Sequence, residues 1–193
     1  MHSSLSSARR LLPIAALLAA FAARPAVSQQ PAPATPKSAA LDDPTIVAIF
    51  DAANTWDIET GALAAKKGTT QDVRDFGKML ERDHKMVRQQ GRDLAKKLSV
   101  TPTPPKDFAM AKDHEAALAK LQSASGKAFD RAFLEHEVAF HKAVIEAVTS
   151  TLLPALHNQE VKELVTKVAP AFQAHMVGAQ NLLDKQPKVA EAR

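Results

Sequence analysis

The sequence predicts an all-α protein: four long helices in a bundle, with a short extra helix in the connection between the second and the third. Three observations carry that prediction. Apolar residues after Leu41 recur at three- and four-residue spacing, and no segment sustains the two-residue alternation of a half-buried strand. Each periodic segment is bounded by helix-starting and helix-stopping residues. Midway, the break Thr101-Pro102-Thr103-Pro104-Pro105 is followed by a short helical stretch, which leaves enough chain to travel back along a bundle.

The elements follow in chain order. Arg9 and Arg10, an apolar run from Leu11 to Ala22 and the small-x-small pattern Ala26-Val27-Ser28 predict a secretory signal over residues 1–28, cleaved near Ser28. Residues 29–42 read as a disordered Pro/Ala-rich tether, 43–185 as the bundle and 186–193 as a flexible tail. The first long helix is expected to start at Asp43-Pro44, with Asp43 as N-cap, and to end at Lys66-Lys67-Gly68. The second runs from Thr69-Thr70, with Thr69 and Asp72 as a capping box, to about Leu98. A short helix covers about Asp107 to Leu121, and the third long helix runs from Lys127 to about Ser150. The fourth runs from an Asn158 N-cap to Asp184, with Pro170 expected to kink it one turn before His175.

The short helix would span ~22 Å, enough to let the third long helix run parallel to the second. That is the one-crossover arrangement of ferritin-like bundles. Counted from the helix starts, an axial offset of ~9 Å is expected between the polar residues of the two parallel pairs.

Composition narrows the function classes. The 193 residues carry a formal charge of +4, most of it from Arg9, Arg10 and Arg24 in the expected signal. The mature chain is close to balance, which excludes a nucleic-acid partner because that needs a basic face. With no cysteine there is no disulfide and no lipid anchor on a thiol. No later run reaches the ~20 apolar residues of a membrane span. The expectation is one exported domain, periplasmic or secreted, for which monomer and homodimer are both compatible and a protein partner is unspecified.

The candidate site lies in interruptions of the apolar stripes. The first helix reads Ile49, Ala52, Trp56, Glu59, Leu63, and the second reads Val73, Phe76, Leu80, His84, Val87, Leu94. The third reads Leu134, Glu137, His141, Val144, Val148, and the fourth reads Val161, Leu164, Val168, Phe172, His175, Ala179, Leu182. Buried imidazoles and carboxylates are tolerated only when paired, hydrogen-bonded or bound to a metal, so four such interruptions are expected to meet. Imidazole with carboxylate suits iron, manganese or zinc, and nothing points to an organic cofactor. The expected metal ligands are Glu59, His84, His141 and His175, extended by Glu81 and Glu137. The pairs Glu81/His84 and Glu137/His141 each share a helix face. Asp83 and Asp130 are candidates for orienting a ligand from behind. A purely structural polar core in a non-enzymatic envelope or stress-associated interaction protein is the competing reading, and a small-molecule binder is a third.

His114 is expected to be solvated, His136 and His157 to lie on the surface or in loops, and Trp56 to pack and dry the site. Met79, Met86, Met110 and Met176 read as core filling and surface rather than as copper ligands. No tyrosine, glycine-rich phosphate loop or convincing nucleophile–base set is present.

Several segments together resemble a known family. They are Asp57-Ile58-Glu59-Thr60-Gly61-Ala62-Leu63-Ala64, Arg82-Asp83-His84, Ala128-Phe129-Asp130-Arg131-Ala132-Phe133 followed by His141, and Ala169-Pro170 followed by His175. The resemblance is to exported bacterial proteins called domain of unknown function 4142, grouped with ferritin-like folds, and it covers about Asp43 to Leu183. It implies the bundle, a periplasmic setting and the same polar positions, and no reaction. The absence of a second Glu-x-x-His sets the chain apart from true ferritins.

Overall fold

The computed structural model describes residues 41–186; the expected signal segment, the tether before Leu41 and the tail beyond Gln186 lie outside the described residues. Helix α1 spans Asp43–Lys67, α2 Gln71–Lys97 and α3 Ala109–Ser123. Helix α4 spans Gly126–Ala147 and continues through a π-helical turn, Val148–Leu152, into the short α5, Leu153–Ala155. Helix α6 spans Gln159–Asp184. No strand occurs among the described residues.

The helix starts lie one residue away from two of the expected caps. Asp42, not Asp43, caps α1 by accepting from the Thr45 N–H at 2.9 Å. Asp43 instead accepts from the N–H groups of His157 and Asn158, both at 2.9 Å, and ties the start of α1 to the start of α6. Thr70, not Thr69, caps α2. Thr69 is held by Asp130 of α4, whose carboxylate accepts both the Thr69 N–H (2.9 Å) and its hydroxyl. The third long helix outruns its expected end near Ser150. Pro154 has no N–H for the ladder, and the turn just before it is widened. Asn158 caps α6 as expected, and Pro170 lies exposed within it.

Side-chain pairs fix the topology. Thr60 with Glu137 and Trp56 with Phe140 make α1 and α4 antiparallel, because one number rises as the other falls. Phe76 with Phe133 and His84 with His141 make α2 and α4 parallel. His84 with His175 and Lys97 with Glu160 make α2 and α6 antiparallel. This is the one-crossover bundle, with α3 as the crossover helix. Lys67 closes the end of α3 by donating to the carbonyls of Leu121, Gln122 and Ala124 at 3.0, 2.7 and 2.6 Å.

The expected axial offset does not arise, since His84 and His175 touch directly. Helices of 25, 27, 22 and 26 residues are not flush at their ends, so counting from their starts misjudges height. Two apolar clusters fill the bundle. One is built around Ile46, Phe50, Val87, Val161, Val165 and Phe172, the other around Ala64, Val73, Leu80, Phe129, Phe133 and Ala179. The residues that sequence places between these sets on each long helix are the polar ones, so a polar layer is clamped between two dry ones.

Candidate metal centre

The layer is built by all four long helices: Asn54, Asp57 and Thr60 from α1, His84 from α2, Glu137 and His141 from α4, and His175 from α6. All seven are buried, each at most 5% exposed. The three imidazole rings form a near-equilateral triangle with centroids 5.6, 5.1 and 5.4 Å apart. His84, His141 and His175 present ligand atoms that all lie within 4.8 Å of one another, and so do Asp57, Glu137 and His141.

The hydrogen bonds decide where each ring carries its proton. The Asn54 side-chain amide donates to the Phe50 carbonyl at 2.8 Å, which turns its oxygen toward His84 Nδ1 at 2.9 Å. His84 therefore carries its hydrogen on Nδ1 and leaves Nε2 bare. His141 donates from Nδ1 to the Glu137 carbonyl at 3.0 Å, and its Nε2 has no hydrogen-bond partner. His175 faces Asp83 with Nε2 at 3.4 Å, which leaves Nδ1 bare. That bare nitrogen lies 3.2 Å from bare His84 Nε2. Nitrogens this close are bridged by a hydrogen on one of them or by a cation between them. A separation of about 3.3 Å is what two nitrogens adopt around one tetrahedral ion at ~2.0–2.1 Å. Phe172 stacks on His84 at 5.7 Å and 5°, which holds the ring and keeps water out.

A proton is a poor occupant of the triangle. Burial, and then the neighbouring His141 and His175, lower the pKa of His84 to about 2. Burial, and then His175, lower His141 to about 3. Burial also lowers His175, against the opposing pull of Asp83. All three rings are neutral near pH 7 and offer lone pairs.

The carboxyls behave in the opposite sense. Burial pushes Glu137 up to about 7, although the Thr60 hydroxyl donates to it at 2.7 Å. Burial, reinforced by Glu137, holds Asp57 well above the usual carboxylate range. The pair therefore holds a proton more tightly than free carboxyls do. Asp57 Oδ1 and Glu137 Oε2 are buried without a hydrogen-bond partner. His84, His141 and His175 form one donor group that can hold a metal ion, and Asp57, Glu137 and His141 form a second that shares only His141 with it.

The residues expected from sequence divide. His84, His141, His175 and Glu137 come together, and Asp83 backs His175. Glu59 does not join them: its carboxylate is at the surface and accepts from His114 Nε2 at 2.9 Å. The reason is that α1 is covered on two sides. Its stripe Phe50, Asn54, Asp57, Gly61, Ala64 faces the core, while the stripe carrying Trp56 and Glu59 faces α3. Glu81 pairs with Lys85 on the flank of α2, because a three-residue step turns 300° and leaves it 60° off the line of His84. Asp130 lies at the α1–α2 turn and orients no histidine of the site. Asp57, Asn54 and Thr60 went unread, and the signal that could have found them was their spacing with Phe50 and Ala64. His114, expected to be solvated, is buried against Trp56, and His136 is half-buried.

Comparison with known proteins gives three findings. The crystal structure of a DUF305 fragment from Deinococcus radiodurans is similar with a TM-score of 0.65 and 15% identity, over 74% of this chain and 95% of that one. At that identity the likeness concerns the fold alone. No curated protein matches the sequence. The family model described as "Domain of unknown function (DUF4142)" matches residues 27–182, most of the chain and all four helices of the polar layer, and the chain belongs to that family.

Proposed function

We propose that this chain is an exported bundle protein that binds one transition-metal ion in its interior, in the handling of metals or of oxidative stress. The ligands are His84 Nε2, His141 Nε2 and His175 Nδ1, and the carboxyls of Asp57 and Glu137 adjoin them at His141. The observation that carries the reading is the closed triangle of bare nitrogens, each ring fixed from behind by a separate acceptor: Asn54, the Glu137 carbonyl and Asp83. Iron, manganese and zinc all suit three imidazoles with a carboxylate. When bound, the ion supplies a Lewis acid or a one-electron centre. The residues themselves orient the rings, exclude water, and give up the proton held by the pair of Asp57 and Glu137 as positive charge arrives. Export rests on Arg9, Arg10 and the apolar run up to Ala22, with cleavage near Ser28.

The test is metal content by mass spectrometry on protein exported to the periplasm and purified without chelator or affinity histidines. His84→Ala and His141→Ala are run alongside. About one equivalent of a single metal, absent from both variants, is the expected result. No metal after reloading with iron, manganese and zinc would sink the proposal and favour an interaction protein with a structural polar core.

A further inference from the structure

A second group of chemistry-bearing side chains lies outside the bundle interior, under the crossover helix. Trp56 stacks on His114 at 5.1 Å and 17°, and Phe108 and Phe140 pack on the same indole at 5.3 and 6.1 Å. These contacts fix the His114 ring, which is 5% exposed. Glu59 accepts from its Nε2 at 2.9 Å, so the hydrogen resides there and Nδ1 keeps a lone pair. That Nδ1 is buried and has no hydrogen-bond partner. His114 borders a cavity of about 280 Å³ between α3 and α4, shared with Met110, Asp113, His136 and Phe140. His136 stacks on Phe140 at 5.7 Å.

We propose that this groove is a second cation site, separate from the interior triangle, that takes a soft late transition ion, copper(I), through His114 Nδ1 and His136 with the Met110 thioether. The ligand types select the ion, since thioether with neutral imidazole favours copper(I) over iron, manganese or magnesium. Glu59 is then a positioning residue: a carboxylate bonded to the far nitrogen of a ligating histidine fixes its tautomer and raises its basicity. Asp113 adds negative charge at the rim. The proposal does not depend on the interior centre being a metal site.

The experiment is a copper(I) titration of the exported chain against bicinchoninate, read as equivalents withdrawn from the coloured complex. Wild type is compared with His136→Ala, His114→Ala, Met110→Leu and Glu59→Gln, with helicity followed by circular dichroism. The expected result is one fewer equivalent in His136→Ala than in wild type. Glu59→Gln keeps the equivalent but binds it about 10- to 100-fold more weakly. His136 is only half-buried, so its loss leaves the fold intact even if His114→Ala does not. If wild type and His136→Ala withdraw the same number of equivalents, the groove is not a copper site. An interior site that fails leaves wild type with one equivalent and His136→Ala with none.

Discussion

Replacing Gly77 with alanine sets two effects of opposite sign against each other. A Cβ at Gly77 would lie 2.6 Å from the Gly61 carbonyl oxygen, 2.7 Å from the Ala65 nitrogen and 2.8 Å from the Ala64 Cβ. The first two are backbone atoms of α1, and no rotamer change can withdraw them. Restoring ordinary contact at about 3.5 Å requires α1 and α2 to part by roughly 0.7–0.9 Å. Overpacking of this kind costs about 1–3 kcal/mol, and backbone clashes belong at the upper end. Alanine in place of glycine inside a helix returns ~1 kcal/mol. The net expectation is about 2 kcal/mol of destabilisation, or roughly 4–8 °C in Tm for a domain of this size. The assay is thermal unfolding by circular dichroism at 222 nm. Gly91→Ala is the control, because its added carbon meets only the Phe50 ring, at 3.0 and 3.1 Å, and a ring can tilt. A Gly77→Ala variant as stable as wild type, or more so, would refute the reasoning, because helix propensity would then have won over the contact. The same parting lengthens the 3.4 Å contact between Asp57 Oδ2 and His84 Nδ1.

Three further outcomes follow from the polar layer. In metal-free protein, His141→Leu should be neutral or stabilising in thermal melts, since a packed apolar side chain replaces a buried imidazole; the stabilisation that added metal gives to wild type should be lost in it. A drop of several degrees in the metal-free variant would argue against this. The stability of metal-free protein should peak near pH 6–7. His84 and His141 have lowered folded pKa values, about 2 and about 3, so their contribution is present above 6.5 and is lost as pH falls toward those values. Glu137, raised to about 7, contributes fully below its unfolded value of 4.5 and loses that contribution as pH rises through 7, with Asp57 acting in the same sense. Urea midpoints between pH 4.5 and 8.5 read this, and a flat profile would contradict it. Asp130→Ala should cost about 1–3 kcal/mol by removing the two hydrogen bonds that tie Thr69 to α4, while metal stoichiometry stays unchanged. A lost equivalent would mean that Asp130 serves the centre after all.

The sequence by itself determined the helices, their approximate ends, the crossover and three of the imidazoles. Each follows from local rules: periodicity, a proline or glycine at a boundary, and a polar residue where one buried face expects an apolar one. His84, His141 and His175 were legible because α2, α4 and α6 each bury one main stripe, and an imidazole in it stands out. Helix α1 broke that logic. It packs on the bundle with one face and under α3 with another, so two stripes compete, and the one with the larger side chains, Trp56 and Leu63, leads to Glu59. Only the tertiary structure chose the face carrying Asn54, Asp57 and Thr60, because that choice depends on where α3 lies. The same holds for tautomers. Which nitrogen of each histidine is bare is fixed by Asn54, Asp83 and the Glu137 carbonyl at distances that no spacing along the chain encodes.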